Sequence, residues 1–99
     1  MRIAKVIGTV TLSRWHPSLA GARWIIGVPY GLKALKAGKE PDGEDLVILD
    51  NLGAGNGSKI GISEGVEASA PFYPEKKPLD AYCACIVDQL NLESRHERV

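Results

Sequence analysis

The sequence predicts a small all-β domain. Three observations predict it: hydrophobicity that alternates with a period of two in short successive runs, turn chemistry between those runs, and no stretch that reads as a long helix. From Ala4, the even positions Ala4, Val6, Gly8, Val10 and Leu12 are apolar or small, with Lys5, Thr9 and Thr11 between them. Ile3 and Ile7 interrupt the polar side. This is a strand with its even face in a core. Residues 22–28 repeat the pattern, which assigns Trp24, Ile26 and Val28 to the inner face and Arg23, Ile25 and Gly27 to the other. Residues 46–49 are β-rich and apolar on both faces. Residues 59–63 alternate with Ile60 and Ile62 inward, and residues 81–88, carrying Tyr82, Ile86 and Val87, form a fifth candidate.

The connections carry their own chemistry. Pro17, within residues 15–21, forbids a central strand there. In residues 29–44, Pro41-Asp42-Gly43 is a turn, and Leu32-Lys33-Ala34-Leu35-Lys36 makes one helical turn. Residues 51–58 are glycine-rich. Residues 69–78 hold prolines around Phe72 and Tyr73 and read as an irregular loop. The strands and loops fill residues 1–88 as a single domain, and residues 89–99 form a short C-terminal helix or tail.

Five short strands in 99 residues fit an OB-like Greek-key β-barrel, the five-stranded, partly open closure of the oligonucleotide/oligosaccharide-binding type. Such a barrel would turn Ile3, Ile7, Ile25, Val47 and Leu49 toward water. A domain of this size buries only about 60–65% of its unfolded surface by itself. The second apolar face is therefore expected to meet another subunit; the competing reading is a monomer with scattered exposed aliphatics. The charge agrees with association. Twelve Lys and Arg balance twelve Asp and Glu, which leaves no bulk repulsion between copies and no bulk attraction to nucleic acid or an anionic membrane. Arg2 and Lys5 lie in a start that lacks the long uncharged core of a signal peptide, and no apolar run approaches the roughly 20 residues that span a bilayer. Two cysteines are too few for a disulfide framework, so a soluble cytosolic domain is expected.

Few residues suggest reaction chemistry. The segment Asp50-Asn51-Leu52-Gly53-Ala54-Gly55-Asn56-Gly57-Ser58-Lys59 invites a phosphate cradle, but the P-loop spacing fails and a strand follows. A dinucleotide fingerprint fails as well, because its third glycine would fall on Ser58. Alternate glycines there imply left-handed dihedrals or close backbone approach, and Asp50 is expected to open the turn through its side chain. Cys83 and Cys85 share a strand face at i and i+2 and read as small hydrophobes. His16 and His96 show no zinc spacing, so neither metal nor cofactor is expected. His16 has no nucleophile or carboxylate beside it in sequence. Asp50, Asp80 and Asp88 would need the fold to pair them, so no catalytic residue is assigned. Trp15 and Trp24 with Arg14 and Arg23 could form a stacking platform for single-stranded nucleic acid, or for another small ligand, on such a barrel.

Several stretches taken together resemble the EutN/CcmL family of bacterial microcompartment vertex proteins, from carboxysome and metabolosome shells. They are Met1 through Val10, Leu19 through Pro29, Asp50-Asn51-Leu52-Gly53-Ala54-Gly55-Asn56-Gly57 followed by Ile60, Ile62 and Gly65, and Pro78-Leu79-Asp80-Ala81 with Ile86-Val87-Asp88. Ser13 to Pro17 lack the Thr-x-Lys pattern of the family, and Cys83-Ala84-Cys85 stands where aliphatics and a glycine are usual. The resemblance implies a non-enzymatic shell protein in the bacterial cytoplasm, forming a cyclic homopentamer that caps fivefold vertices. It implies hexameric or pseudohexameric shell proteins as partners. It places Gly53, Ala54, Gly55, Asn56, Gly57 and Ser58 near the fivefold axis, around a narrow pore.

Overall fold

A computed structural model describes residues 1–92 and closes five strands into a barrel. The strands are β1 (Arg2–Val10), β2 (Trp24–Pro29), β3 (Leu46–Leu49), β4 (Lys59–Glu64) and β5 (Ala81–Ile86), arranged β1-β2-β3-β5-β4. All neighbours are antiparallel except β3 and β5, whose parallel seam sets Leu49 opposite Tyr82 and closes the sheet fully. The one α-helix among the described residues, α1 (Leu32–Ala37), stops at Gly38, whose φ of 64° is the left-handed conformation that a helix C-terminus often uses. Short 3-10 segments occupy Pro17–Leu19 and Gly65–Phe72. The latter gives regular structure to part of the stretch expected to be an irregular loop. Gln89 to Leu92 carry no helix, and the rest of the expected C-terminal helix or tail lies outside the described residues. No helix among the described residues is long and apolar enough to cross a membrane.

The barrel interior is narrow. It holds Ala4, Val6, Ile25, Ile48, Ala54, Ile60, Ile62, Ala81 and Cys83. A Cβ on Gly27 would lie 2.6 Å from Ile48 Cδ1 and 3.5 Å from Ala4 Cβ, so the isoleucine occupies the space that the glycine vacates. This reverses the faces expected for β2. Directly opposed residues of an antiparallel pair share a face, and β1 sets Val6 opposite Gly27 and Ala4 opposite Pro29. Ile25, Gly27 and Pro29 therefore point in, while Trp24, Ile26 and Val28 point out. The larger side chains of the strand do not mark its inner face, because this interior takes isoleucines beside small residues and has no room for an indole.

Two bulges alter the alternation elsewhere. Val6 faces Gly27 while Gly8 faces Ile26, so Ile7 is extra in β1 and the even positions beyond it, Gly8 and Val10, turn outward toward Ile26 and Trp24. On β5, Cys83 faces Ile62 and Cys85 faces Gly61, so Ala84 is extra and the two cysteines fall on opposite faces. Cys83 packs in the barrel, whereas Cys85 Sγ sits 2.6 Å from where a Gly61 Cβ would be, alongside Met1 Sδ. The expectation that both cysteines share a face fails because of that one inserted residue.

A second cluster forms outside the barrel. Leu49, Ala68 and Leu79 are buried there, with Leu19, Ala22, Trp24, Phe72 and Tyr82 packed against them. Phe72 meets Tyr82 edge-on at 5.5 Å, and Lys77 Nζ lies 4.8 Å from the Phe72 ring while donating to Ser18 O at 2.6 Å. The Gly65–Phe72 segment thus covers part of the outer wall.

In the isolated protomer, Ile25→Ala should cost about 2–5 kcal/mol in urea denaturation, as a cavity in the core does. Ile7→Ala should stay within about 0.5 kcal/mol. Equal costs would contradict the assignment of faces.

Candidate functional site

The glycine-rich connection between β3 and β4 is built around Asp50. Its side chain is fully buried, where an ionised carboxylate is costly unless it is paired and hydrogen-bonded. It is both. Oδ1 accepts from the Leu52 N–H at 2.8 Å, Oδ2 accepts from the Ala54 N–H at 2.8 Å, and the Arg23 guanidinium donates to Oδ2. The Asp50 N–H in turn donates to the Arg23 carbonyl at 2.9 Å. The expectation that Asp50 opens the turn through its side chain matches this geometry.

The far end of the loop is tied to β1. Gly57 N donates to Val6 O at 2.8 Å, Val6 N to Ser58 O at 2.9 Å, and Ser58 N to Gly55 O at 3.1 Å. Gly53 and Gly57 have φ of 80° and 87°, the left-handed region that glycine enters without penalty. Gly55 is different. Its φ is not positive, and a Cβ placed on it would meet nothing within 4 Å. Neither backbone strain nor crowding within the protomer calls for glycine there. Ala54 is buried, its methyl plugging the barrel, while Gly55 and Asn56 are exposed at the tip.

The residues expected to meet another subunit separate into two groups. Ile25 lies fully inside the barrel and Leu49 lies under the Gly65–Phe72 segment, so neither is on the protomer surface. That part of the expectation is corrected: the inward face of β2 claims Ile25, and a chain segment of the same protomer covers Leu49. Ile7 and Val47 are each 51% exposed, and Ile3 is half-buried on the outer wall opposite Gly61. Gly8 and Val47 both face Ile26 across the sheet. Ile7, Ile26 and Val47 therefore make an apolar strip across β1, β2 and β3, of which the alternation predicts only Ile7 and Val47, since it puts Ile26 on the inner face.

The other candidates have structural employment. His16 Nδ1 accepts from the Ser18 N–H at 3.1 Å and caps the 3-10 turn, while His96 lies outside the described residues. Among the described residues, no group of His, Cys, Asp and Glu is placed to hold a metal ion. Asp80 and Asp88 are exposed, and Asp50 is engaged as above. Trp15 and Trp24 do line one groove of about 570 Å³, with Leu12 and Leu19, but Arg23 in its wall is committed to Asp50. A second groove, about 640 Å³, has mixed charge in its walls: Lys5 pairs with Glu40 at 2.7 Å, and Lys59 and Asp88 also line it.

Burial, reinforced by the charge of Asp50, pushes the Cys83 thiol up from 9.0 to about 12. The unfolded thiol loses its proton near 9, whereas the folded one keeps it to about 12. Stability from this group is therefore intact below pH 9 and lost as pH rises toward 12. Between about pH 8 and about pH 11 the urea midpoint of the native chain should fall further than that of Cys83→Ala. Equal falls would contradict the assignment.

The family described as "Ethanolamine utilisation protein EutN/carboxysome" matches residues 1–88. The carboxysome shell vertex protein CcmL of Synechococcus elongatus is 36% identical over 95 residues, covering 96% of this chain and 91% of that protein. The microcompartment shell vertex protein GrpN of Rhodospirillum rubrum is 33% identical over 88 residues, covering 89% of this chain and 93% of that protein. The solved structure of GrpN, a pentameric microcompartment shell protein, superposes with a TM-score of 0.78 at 31% identity, covering 94% of this chain and 100% of that one. CcmL of Gloeobacter violaceus gives a TM-score of 0.81 at 28% identity, with 94% and 91% covered. Matched by this family over residues 1–88 and similar to these shell vertex proteins over nearly its whole length, the chain belongs to the EutN/CcmL family.

Proposed function

We propose that the chain is a structural shell protein that assembles into a cyclic homopentamer and caps the fivefold vertices of a bacterial microcompartment. The observation that carries this is the match of nearly the whole chain to GrpN, whose solved form is a pentameric shell protein. Two features of the protomer support it. The strip Ile7, Ile26 and Val47 offers an apolar surface that another copy can cover. Gly55 is a glycine that the protomer alone does not require, as a residue crowded by its own symmetry copies would be.

Head-to-tail contacts between unlike patches close into a ring when their rotation is one-fifth of a turn, and a ring of five inserted among hexagonal tiles forces curvature. The function is then geometry. The loop Gly53, Ala54, Gly55, Asn56, Gly57 and Ser58 lies nearest the axis in this reading, around a narrow pore. Ile3, Ile7 and Val47 belong to subunit contacts. The rim meets hexameric or pseudohexameric shell proteins, and the assembly sits in the shell within the bacterial cytoplasm.

The native mass of the purified protein by light scattering should correspond to five copies. Gly55→Val should shift that mass toward the protomer while leaving cooperative unfolding of the barrel in place. A monomer at micromolar concentration, or a Gly55→Val ring of unchanged mass, would contradict the proposal.

A further inference from the structure

The loop assigned to the ring axis has two anchors, and they differ in kind. Its C-terminal half is held by backbone bonds to β1, through Gly57, Val6 and Ser58. Its N-terminal half is held by one side chain, because the N–H groups of Leu52 and Ala54 both donate to Asp50. Gly55 hangs between these anchors. We infer that Asp50 is the positioning residue of the axial loop, its carboxylate, clamped by Arg23 and holding the Leu52 and Ala54 amides, setting where Gly55 stands when copies of the chain meet. This deepens the ring reading and rests on it.

The donor set explains why a carboxylate is needed. Three donors converge on the two oxygens of Asp50: two main-chain N–H groups and one guanidinium. An amide at the same position has a single acceptor oxygen, and its NH2 group would face a donor. The loop would then lose at least one tether and gain a donor facing a donor. Arg23 acts through the carboxylate rather than on the loop. It supplies the countercharge that makes a fully buried carboxylate tolerable, and it reaches Asp50 from the residue immediately before β2, whose carbonyl also accepts from the Asp50 N–H. Ala54 carries the effect inward. With its methyl seated among the barrel residues and its N–H on Asp50, it locks the chain one residue before the tip.

The test is amide hydrogen exchange on the full chain, read together with native mass. In Asp50→Asn the Leu52 and Ala54 amides should lose protection by about tenfold or more, while the amides of the β1–β4 ladder keep theirs. At the concentration where the native chain is a ring, the variant should populate the protomer. Arg23→Gln leaves the carboxylate in place and decides the matter if Asp50→Asn does not fold: the same amides should lose protection by a smaller factor. Unchanged protection at Leu52 and Ala54 in these variants overturns the inference, as does a uniform loss across the barrel or a ring that forms as readily as before. A native chain that is not a ring, but whose Leu52 and Ala54 amides still respond to these variants, would overturn the ring reading and leave the clamp standing.

Discussion

The space beside Ile48 inside the barrel governs the rest of the molecule. Five strands enclose a room filled by Val6, Ile25, Ile48, Ile60 and Ile62, and it closes only because Ala4, Gly27, Ala54 and Ala81 give way to them. Close packing leaves no slack for an indole or a further leucine. Trp24, Leu49, Phe72 and Leu79 stand on the outer wall instead. Part of that wall is covered by the chain itself, where the Gly65–Phe72 segment and Leu79 roof over Leu49 and Trp24. The Ile7, Ile26 and Val47 strip receives no such cover from the described residues. Burying a side chain of that size stabilises by about 1.5–3 kcal/mol, and association has a large fixed cost to offset. A ring repeats its one contact around the circle and closes on itself, which suits a protomer with a modest apolar strip.

The axial loop shows a second division of labour, between glycines needed by the backbone and one that is not. Gly53 and Gly57 adopt left-handed dihedrals that would strain most other residues. Gly55 adopts none and has open space around it. A position with room for a side chain in the protomer, exposed at the tip of a tethered loop, is where contact between copies would act. The tethers are asymmetric: main-chain bonds to β1 at one end, the buried Asp50 carboxylate at the other.

Much of this was legible in the residues. The five strands, the inward Ile60 and Ile62, the helical turn after Tyr30 and the role of Asp50 follow from period, turn chemistry and the habits of aspartate side chains. The resemblance to shell vertex proteins supplied the family, which periodicity alone could not. Alternation alone does not say which face of β2 is inner, and the narrow barrel places Gly27 inside and Trp24 outside. The bulge at Ile7 shows in the pattern only as an isoleucine on the polar side, which Ile3 shows without a bulge, and the small Ala84 gives no sign of the other. Cys85 was misplaced for that reason. The 3-10 segment at Gly65–Phe72 went unseen because it is short and contains a proline, and the burial of Leu49 depends on it.

The central claim is that copies of this barrel close into a ring of five with the Gly53–Ser58 loops innermost. A structure of the assembled particle, by cryo-electron microscopy or crystallography, tests it most directly. The account predicts fivefold symmetry, Gly55 backbones crowded around the axis, and Ile7 and Val47 buried between neighbours. A different number of subunits, or a ring with these loops at its outer edge, would contradict it.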